Sequence, residues 1–239
     1  AGLRDLYGLR ELRYLNLRDA KSVTQKGRMK LQEALPECTI NWDEWEDPND
    51  KAPPLAVAPF NAKQAKQHQQ AWADYLGVPV EKNVDLGKGI KIEMVLIPPG
   101  EFLMGSSDAE RARWLKEATD AGDDWSIGRI PAEGPQHRVQ ITKPFYLAIH
   151  EVTQEQHQQI TGANPSYFSS SGEGKDEVAG QRTNRHPVED ISWFDAIDFC
   201  NTLSASEQLQ PSYTISGNSV MQVPGNGFRL PSEAEWEYA

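Results

Sequence analysis

The sequence predicts a mixed α+β protein, on three observations. Ile92, Met94 and Leu96 fall on every second position, the period of a half-buried strand. Ala196, Ile197, Cys200 and Leu203 fall at steps of three and four, the period of an amphipathic helix. Glycine- and proline-bearing turns separate such segments throughout the second half of the chain. The length of 239 residues suits one large domain or two modest ones.

Charge and composition narrow the function classes. The formal net charge is −11, from 24 Lys+Arg against 35 Asp+Glu. Such a surface repels phosphate backbones and anionic headgroups, so neither nucleic acid nor a membrane surface is an expected partner. No window approaches ~18 consecutive apolar residues, so no transmembrane helix is expected. The mean hydropathy is −0.64, yet seven each of Trp, Tyr and Phe argue for a packed chain. Two cysteines, Cys38 and Cys200, are too few for a disulfide framework or a four-cysteine zinc site. The chain opens at Ala1 without Met, a basic n-region or an apolar h-region. It closes at Ala239, inside a helix barely begun, which is the expectation for an internal segment of a longer protein.

The first stretch is leucine-periodic, with Leu3, Leu6, Leu9, Leu12, Leu15 and Leu17. Leu12-x-x-Leu15-x-Leu17-x-x-Ala20 is similar to the leucine-rich-repeat frame, with Ala20 where Asn is usual. In that frame Tyr14 to Leu17 form a short strand. Thr24 caps a helix through Lys30 and Leu31 to Leu35, which Pro36 stops. Cys38 to Ile40 form one more strand, and the acidic, aromatic residues 41–50 suit the polar cap of a solenoid. An ordinary amphipathic helix through the leucines is the alternative. Residues 1–44 are thus expected to be a terminal leucine-rich repeat with its cap. More repeats would precede it, because one repeat cannot bury its own core.

Residues 45–85 read as a proline-rich linker and a helix. Pro48, Pro53, Pro54 and Pro59 give an extended connector. Asn61 caps a helix with Ala65, His68 or Gln69, Trp72 and Leu76 on one face, and Gly77 closes it. His68 has no partner at ligand spacing and is expected on a solvated face.

Residues 86–239 form the second domain. After the strand through Leu96, Pro98-Pro-Gly100 turns the chain into residues 101–106. Asp108 is expected to cap a helix burying Ala112, Leu115 and Ala118 and closed by Gly122, with residues 120–135 as a loop. His137 to Ile141 and Phe145 to Ile149 read as strands joined by Thr142-Lys-Pro144. Thr153-x-x-Gln156 is a capping box with Gln156 and Ile160 inward. Ser192-x-x-Asp195 caps the clearest helix, with Trp193 on its apolar face, and Ser232-x-x-Glu235 is a further capping box with Trp236 facing in.

The order of short motifs in this domain resembles the formylglycine-generating-enzyme (sulfatase-modifying-factor) family. Met94-Val-Leu-Ile-Pro-Pro-Gly-Glu-Phe-Leu-Met-Gly-Ser106 is similar to the family's opening strand and turn. Glu133-Gly-Pro135 with His137-Arg-Val139, then Phe145-Tyr146 and Glu151-Val-Thr153, follow in family order. Asn164-Pro-Ser-Tyr-Phe168, His186-Pro-Val188, and Ile191-Ser-Trp193 with Ala196 continue it. Arg229-Leu-Pro-Ser-Glu-Ala-Glu-Trp-Glu-Tyr-Ala239 departs from the family's R-L-P-T-E-A-E-W-E-Y-A only at Ser232.

The resemblance implies a C-type-lectin-like α+β fold and an oxidase that converts a sulfatase cysteine to formylglycine with copper and molecular oxygen. Two soft thiolates suit Cu(I). In the family those cysteines and the calcium-site motifs come later than the segments matched here, so copper and calcium are implied for the complete domain only. Cys200 then reads as a packed residue. Glu151 matches an acidic residue that in the family lies near the substrate pocket. As a residue entering a helix it could instead serve the positive end of the helix dipole. Glu133 is likewise loop structure or pocket lining.

His137, His150, His157 and His186 raise the question of an iron site of two histidines and one carboxylate, His150 and His157 with Glu151. On a continuing strand His150 and Glu151 would point to opposite faces, which argues against it. No phosphate-binding glycine loop, G-x-S-x-G or H-E-x-x-H is present. The leading expectation is therefore a leucine-rich repeat, available to a protein partner, tethered to a formylglycine-generating-type domain acting on a sulfatase-like protein or peptide. The alternatives are a non-catalytic lectin-like binding or scaffold module and a relative of the non-heme iron sulfoxide synthases. Sulfatase maturation is linked to export, which leans the location toward outside the cytoplasm.

Overall fold

A computed structural model of the chain describes residues 6, 9, 12–17, 23, 25–42, 52–217 and 219–239. Leu3, Ala20, Thr24 and positions 43–50 of the expected cap lie outside the described residues. The chain divides into two compact units, residues 1–56 with 60–80, and residues 57–59 with 81–239.

In the first unit β1 (Tyr14–Leu17), α1 (Gln25–Ala34) and β2 (Thr39–Trp42) follow in sequence. The two strands pair in parallel with Tyr14 opposite Thr39, a spacing of 25 positions. Parallel neighbours need a crossover, which α1 supplies. Leu31, Leu35 and Cys38 are buried, with Leu15, Leu17 and Ile40 packed on them. After β3 (Ala56–Val57), Asn61 opens α2 (Ala62–Leu76): its side chain accepts the Gln64 N–H while the Gln64 side chain accepts the Asn61 N–H. Gly77 ends it at φ 68°, a left-handed cap that costs glycine little. Trp72 is buried and its indole donates to the Pro54 carbonyl at 3.3 Å. His68 is half-buried, not solvated, because its ring packs on Phe60 with 5.6 Å between centroids.

The second unit contains β4 (Glu81–Gly87), β5 (Ile90–Ile97), β6 (Gly100–Met104), α3 (Asp108–Ala121), α4 (Asp124–Arg129), β7 (His137–Ile141) and β8 (Phe145–Ala148). Then come α5 (Gln154–Thr161), α6 (Trp193–Ser206), the hairpin β9 (Tyr213–Ser216) and β10 (Ser219–Gln222), and α7 (Glu233–Tyr238). One antiparallel sheet has the order β4-β5-β8; in a second, of order β3-β6-β7, the β6–β7 pair is antiparallel. Val84, Leu86, Ile92 and Met94 of the first sheet pack against Phe199, Cys200 and Leu203 of α6, which makes the core of this unit.

Several expectations are corrected. Ser107, not Asp108, caps α3 through a reciprocal pair with Glu110. Of Ala112, Leu115 and Ala118 only Ala118 is buried, since α3 lies on the surface. The stretch expected as a loop holds α4, capped by Asp123, and a 3-10 turn over Ile130–Glu133. Although adjacent in sequence, β7 and β8 belong to different sheets. The buried residues of α5 are Gln154 and His157; Gln156 instead donates its amide to the Lys91 carbonyl at 2.7 Å. Trp193 and Trp236 are 55% and 72% exposed, so the faces that carry them are uncovered.

Candidate functional site

An apolar cleft of about 720 Å³ opens in the second unit between β5, β8, α6 and residues 228–231. Its size falls in the usual range of ligand sites, roughly 300–1,000 Å³. Neighbouring residues of opposite strand faces, Met94 with Val95 and Leu147 with Ala148, both line it. The cleft therefore runs over the β8 edge of the sheet, and all four β8 residues are half-buried where a packed face would alternate.

The polar rim is built by the segment between β8 and α5. The strand ends at Ala148, and a bend through Ile149 and His150 leads to the cap of α5 at Thr153. Opposite faces for His150 and Glu151 would require the strand to continue; with the bend, both line the cleft. Glu151 is exposed at this rim, two residues before the cap. His157 also lines the cleft, but its ring is committed. Its Nδ1 lies 3.0 Å from the Ala163 carbonyl and 3.2 Å from Thr161 Oγ1, and the ring stacks on Phe199 at 5.6 Å. Its Nε2 is sealed without a hydrogen-bond partner. Among the described residues no group of three or more His, Cys, Asp or Glu is placed to hold a metal ion.

Cys200 lines the cleft yet is only 7% exposed, and burial pushes its thiol up to about 11. A protonated, enclosed thiol is a poor ligand and a poor nucleophile. It is also the single cysteine in residues 87–239. The residues present do not fit copper held by a thiolate pair. Nor do they fit calcium, which needs several oxygen ligands in one place: among the described residues the carboxylates form no such group, and Glu189 already accepts the N–H groups of Tyr167 and Phe168 at 3.1 and 2.8 Å. Glu133 lies away from the cleft lining; its carbonyl accepts the Ser106 N–H at 2.7 Å, a structural role.

The far wall has a fixed geometry that spacing alone had not singled out. Arg229 grips Glu235 of α7 with two hydrogen bonds of 2.6 and 2.5 Å. That fork holds the Glu235 carboxyl below the usual glutamate range and the guanidinium above its own. The pair sits inside the Arg229-to-Ala239 motif, so its signal was the motif itself.

The match to a known family falls on the same unit of the chain. Residues 87–239 match the model of the sulfatase-modifying factor enzyme 1-like domain. The chaperone protein LppX of Paenibacillus barcinonensis is 37% identical over 111 residues, 40% of this chain and 35% of that protein. The serine/threonine-protein kinase pkn1 of Chlamydia pneumoniae is 27% identical over 175 residues, 68% of this chain and 21% of the kinase. The chain thus spans about a third and about a fifth of these curated relatives. Among solved structures, Treponema denticola variable protein 1 gives a TM-score of 0.47 at 27% identity, covering 67% of this chain and 56% of that one. CarF gives 0.39 at 22%, covering 64% and 56%, and PvdO from Pseudomonas aeruginosa gives 0.36 at 24%, covering 56% and 46%. With its matched segment extending over more than half of the sequence, the chain belongs to the sulfatase-modifying factor enzyme 1-like domain family.

Proposed function

We propose that residues 81–239 supply the scaffold of a formylglycine-generating-type oxidase that acts on a cysteine of a sulfatase-like polypeptide. The observation that carries this reading is the position of Glu151, the residue of the Glu-Val-Thr motif, on the rim of the largely apolar cleft. An exposed carboxylate there can orient a polar group of an incoming peptide while the apolar walls take its side chains. The copper-binding thiolates come from outside residues 1–239, since Cys200 is solitary and enclosed. The β1–α1–β2 unit belongs, in this proposal, to a leucine-rich repeat that engages a protein partner. Its parallel strands, 25 positions apart, fall within the ~20–29-residue period of such repeats.

A second reading is a non-catalytic binding or scaffold module. It is favoured by the absence, among the described residues, of a metal-holding group, and by relatives whose names are a chaperone and a protein kinase. A longer form that carries a thiol pair is incubated with Cu(I), oxygen and a sulfatase-type cysteine peptide, and the aldehyde is read by mass spectrometry. Aldehyde formation supports the oxidase. Tight peptide binding without any aldehyde replaces it with the module.

A further inference from the structure

We propose that β8 receives an extended segment of the polypeptide substrate as the next strand of its sheet. This rests on the reading that the cleft takes a polypeptide, and not on the oxidase step. β8 ends the sheet of order β4-β5-β8, and the cleft runs over its open side. The Ile149 N–H donates to the Glu93 carbonyl at 2.9 Å, in the register that pairs Ala148 with Met94 and Leu147 with Val95. Bonded pairs alternate along an antiparallel ladder. Leu147 therefore bonds to β5, while the N–H and carbonyl of Ala148 point away from β5 to the open edge. Among the described residues no hydrogen bond reaches Ala148 there. An open strand edge of this kind is a template for another chain.

The walls select the occupant. Met94, Phe199 and Cys200 line the cleft on one side of the sheet plane, and Val95 and Leu147 on the other. A strand between them sets successive side chains on opposite faces, and both faces it meets are apolar. A helix has no backbone groups to offer the edge, because its own bonds consume them. The edge from Phe145 to Ile149 takes about five residues, ~17 Å of extended chain. It runs directly into the bend that carries His150 and Glu151. A strand added to β8 passes the Glu151 carboxylate as it leaves the sheet, which ties this docking to the polypeptide that Glu151 orients. Main-chain bonds then supply affinity, and alternate side chains in the cleft supply selectivity.

The test is binding of acetyl-Thr-Val-Thr-Val-Thr-amide to the whole chain, read by titration calorimetry and by amide hydrogen exchange. Two further forms of the peptide are N-methylated, one on both valines and one on the second and third threonines. Only alternate amides of an added strand face β8, so one methylated form should lose affinity about ten-fold or more while the other keeps it. Exchange at the Ala148 amide should slow on binding far more than at Leu147 or Ile149. Ala148→Pro removes only the outward N–H, which edge strands tolerate, and should weaken the peptide about ten-fold. Should that variant fail to fold, the two methylated peptides on the unaltered chain still decide. Equal affinity of the methylated forms would overturn strand addition and leave the cleft as a pocket for side chains alone. Failure of the unmethylated peptide to bind would overturn it too, and leave the oxidase reading to the aldehyde assay. Ala148 protected before any peptide is added would give the edge to a second copy if the chain sediments as a dimer. The same protection in a monomeric longer form would give it to that chain itself, and either result overturns the assignment.

Discussion

Glu237 reaches back 132 positions to accept the backbone N–H of Gly105 at 2.7 Å. With the Phe102–Tyr238 ring contact at 5.5 Å, this bond seats α7 on the end of β6. The backbone at Gly105 has φ 79°, and an added Cβ would lie 2.7 Å from the Glu133 carbonyl oxygen. Glycine is therefore required twice over, by conformation and by space.

The first prediction concerns that junction. Gly105→Ala should destabilise the second unit by about 1–3 kcal/mol, through backbone strain and the close carbonyl. Glu237→Gln keeps an acceptor, removes the charge, and should cost about 1 kcal/mol or less at this exposed site. Urea unfolding of both variants checks the order; a larger loss for Glu237→Gln would show that charge, not backbone geometry, sets the junction.

The Arg229–Glu235 fork gives a pH dependence. The Glu235 carboxyl is depressed, first by its hydrogen bonds from Arg229. A depressed acid stabilises the fold above its unfolded value and loses that contribution as the pH falls through the folded one. The melting temperature should therefore fall below about pH 4.5, the ordinary value for this group. Glu235→Gln should lower the melting temperature at pH 7 and flatten that acid limb. An unchanged limb in the variant would assign the acid loss to other carboxylates, such as the Ser192-bonded Asp195.

Local chemistry was legible in the sequence; coverage was not. The capping boxes at Thr153, Ser192 and Ser232 form as their spacing requires, because each is closed within four residues. Ile92, Met94 and Leu96 point inward as their alternation demands. Periodicity, however, states which residues share a face and not whether anything covers it, so Trp193 and Trp236 were expected inside. Strand β4 escaped because charged and amide residues surround Val84 and Leu86, and its clue was the Lys88-Gly89 turn. For the site, the motif pointed to Glu151. The bend after Ala148 that turns it and His150 to one cleft is a tertiary feature with no local signal.

Burial of both cysteines predicts their reactivity. Cys38 and Cys200 are enclosed, and the Cys200 thiol is pushed up to about 11. At pH 8 neither should react with an aromatic disulfide reagent in the native chain, and both should react at once in guanidinium. A fast native thiol would show that one of the two packed regions opens readily.

The uncovered cleft should take a hydrophobic dye. Its walls carry Ile92, Met94, Phe199 and Leu203, so an anilinonaphthalene probe should brighten several-fold on binding, as in apolar sites generally. Ala196→Arg would place a charged side chain at the cleft wall from the half-buried turn of α6 and should abolish most of that signal. Equal brightening in the variant would locate the dye on exposed Trp125 or Met221 instead.

Glu151 separates the two readings of the cleft. If it only serves the dipole of α5, the eight-residue helix that starts three residues later, its removal costs stability of about 0.3–1 kcal/mol and nothing else. If it borders the substrate, Glu151→Ala in a form carrying the thiol pair should lower kcat/KM about ten-fold or more, the scale of a lost charged contact in the transition state. Glu151→Gln then discriminates further. It retains a hydrogen-bonding side chain and should recover stability but not turnover, since the charge is what orients the peptide. A melting temperature that drops in Glu151→Ala while kcat/KM stays intact would assign the residue to helix entry and leave the cleft without a catalytic rim.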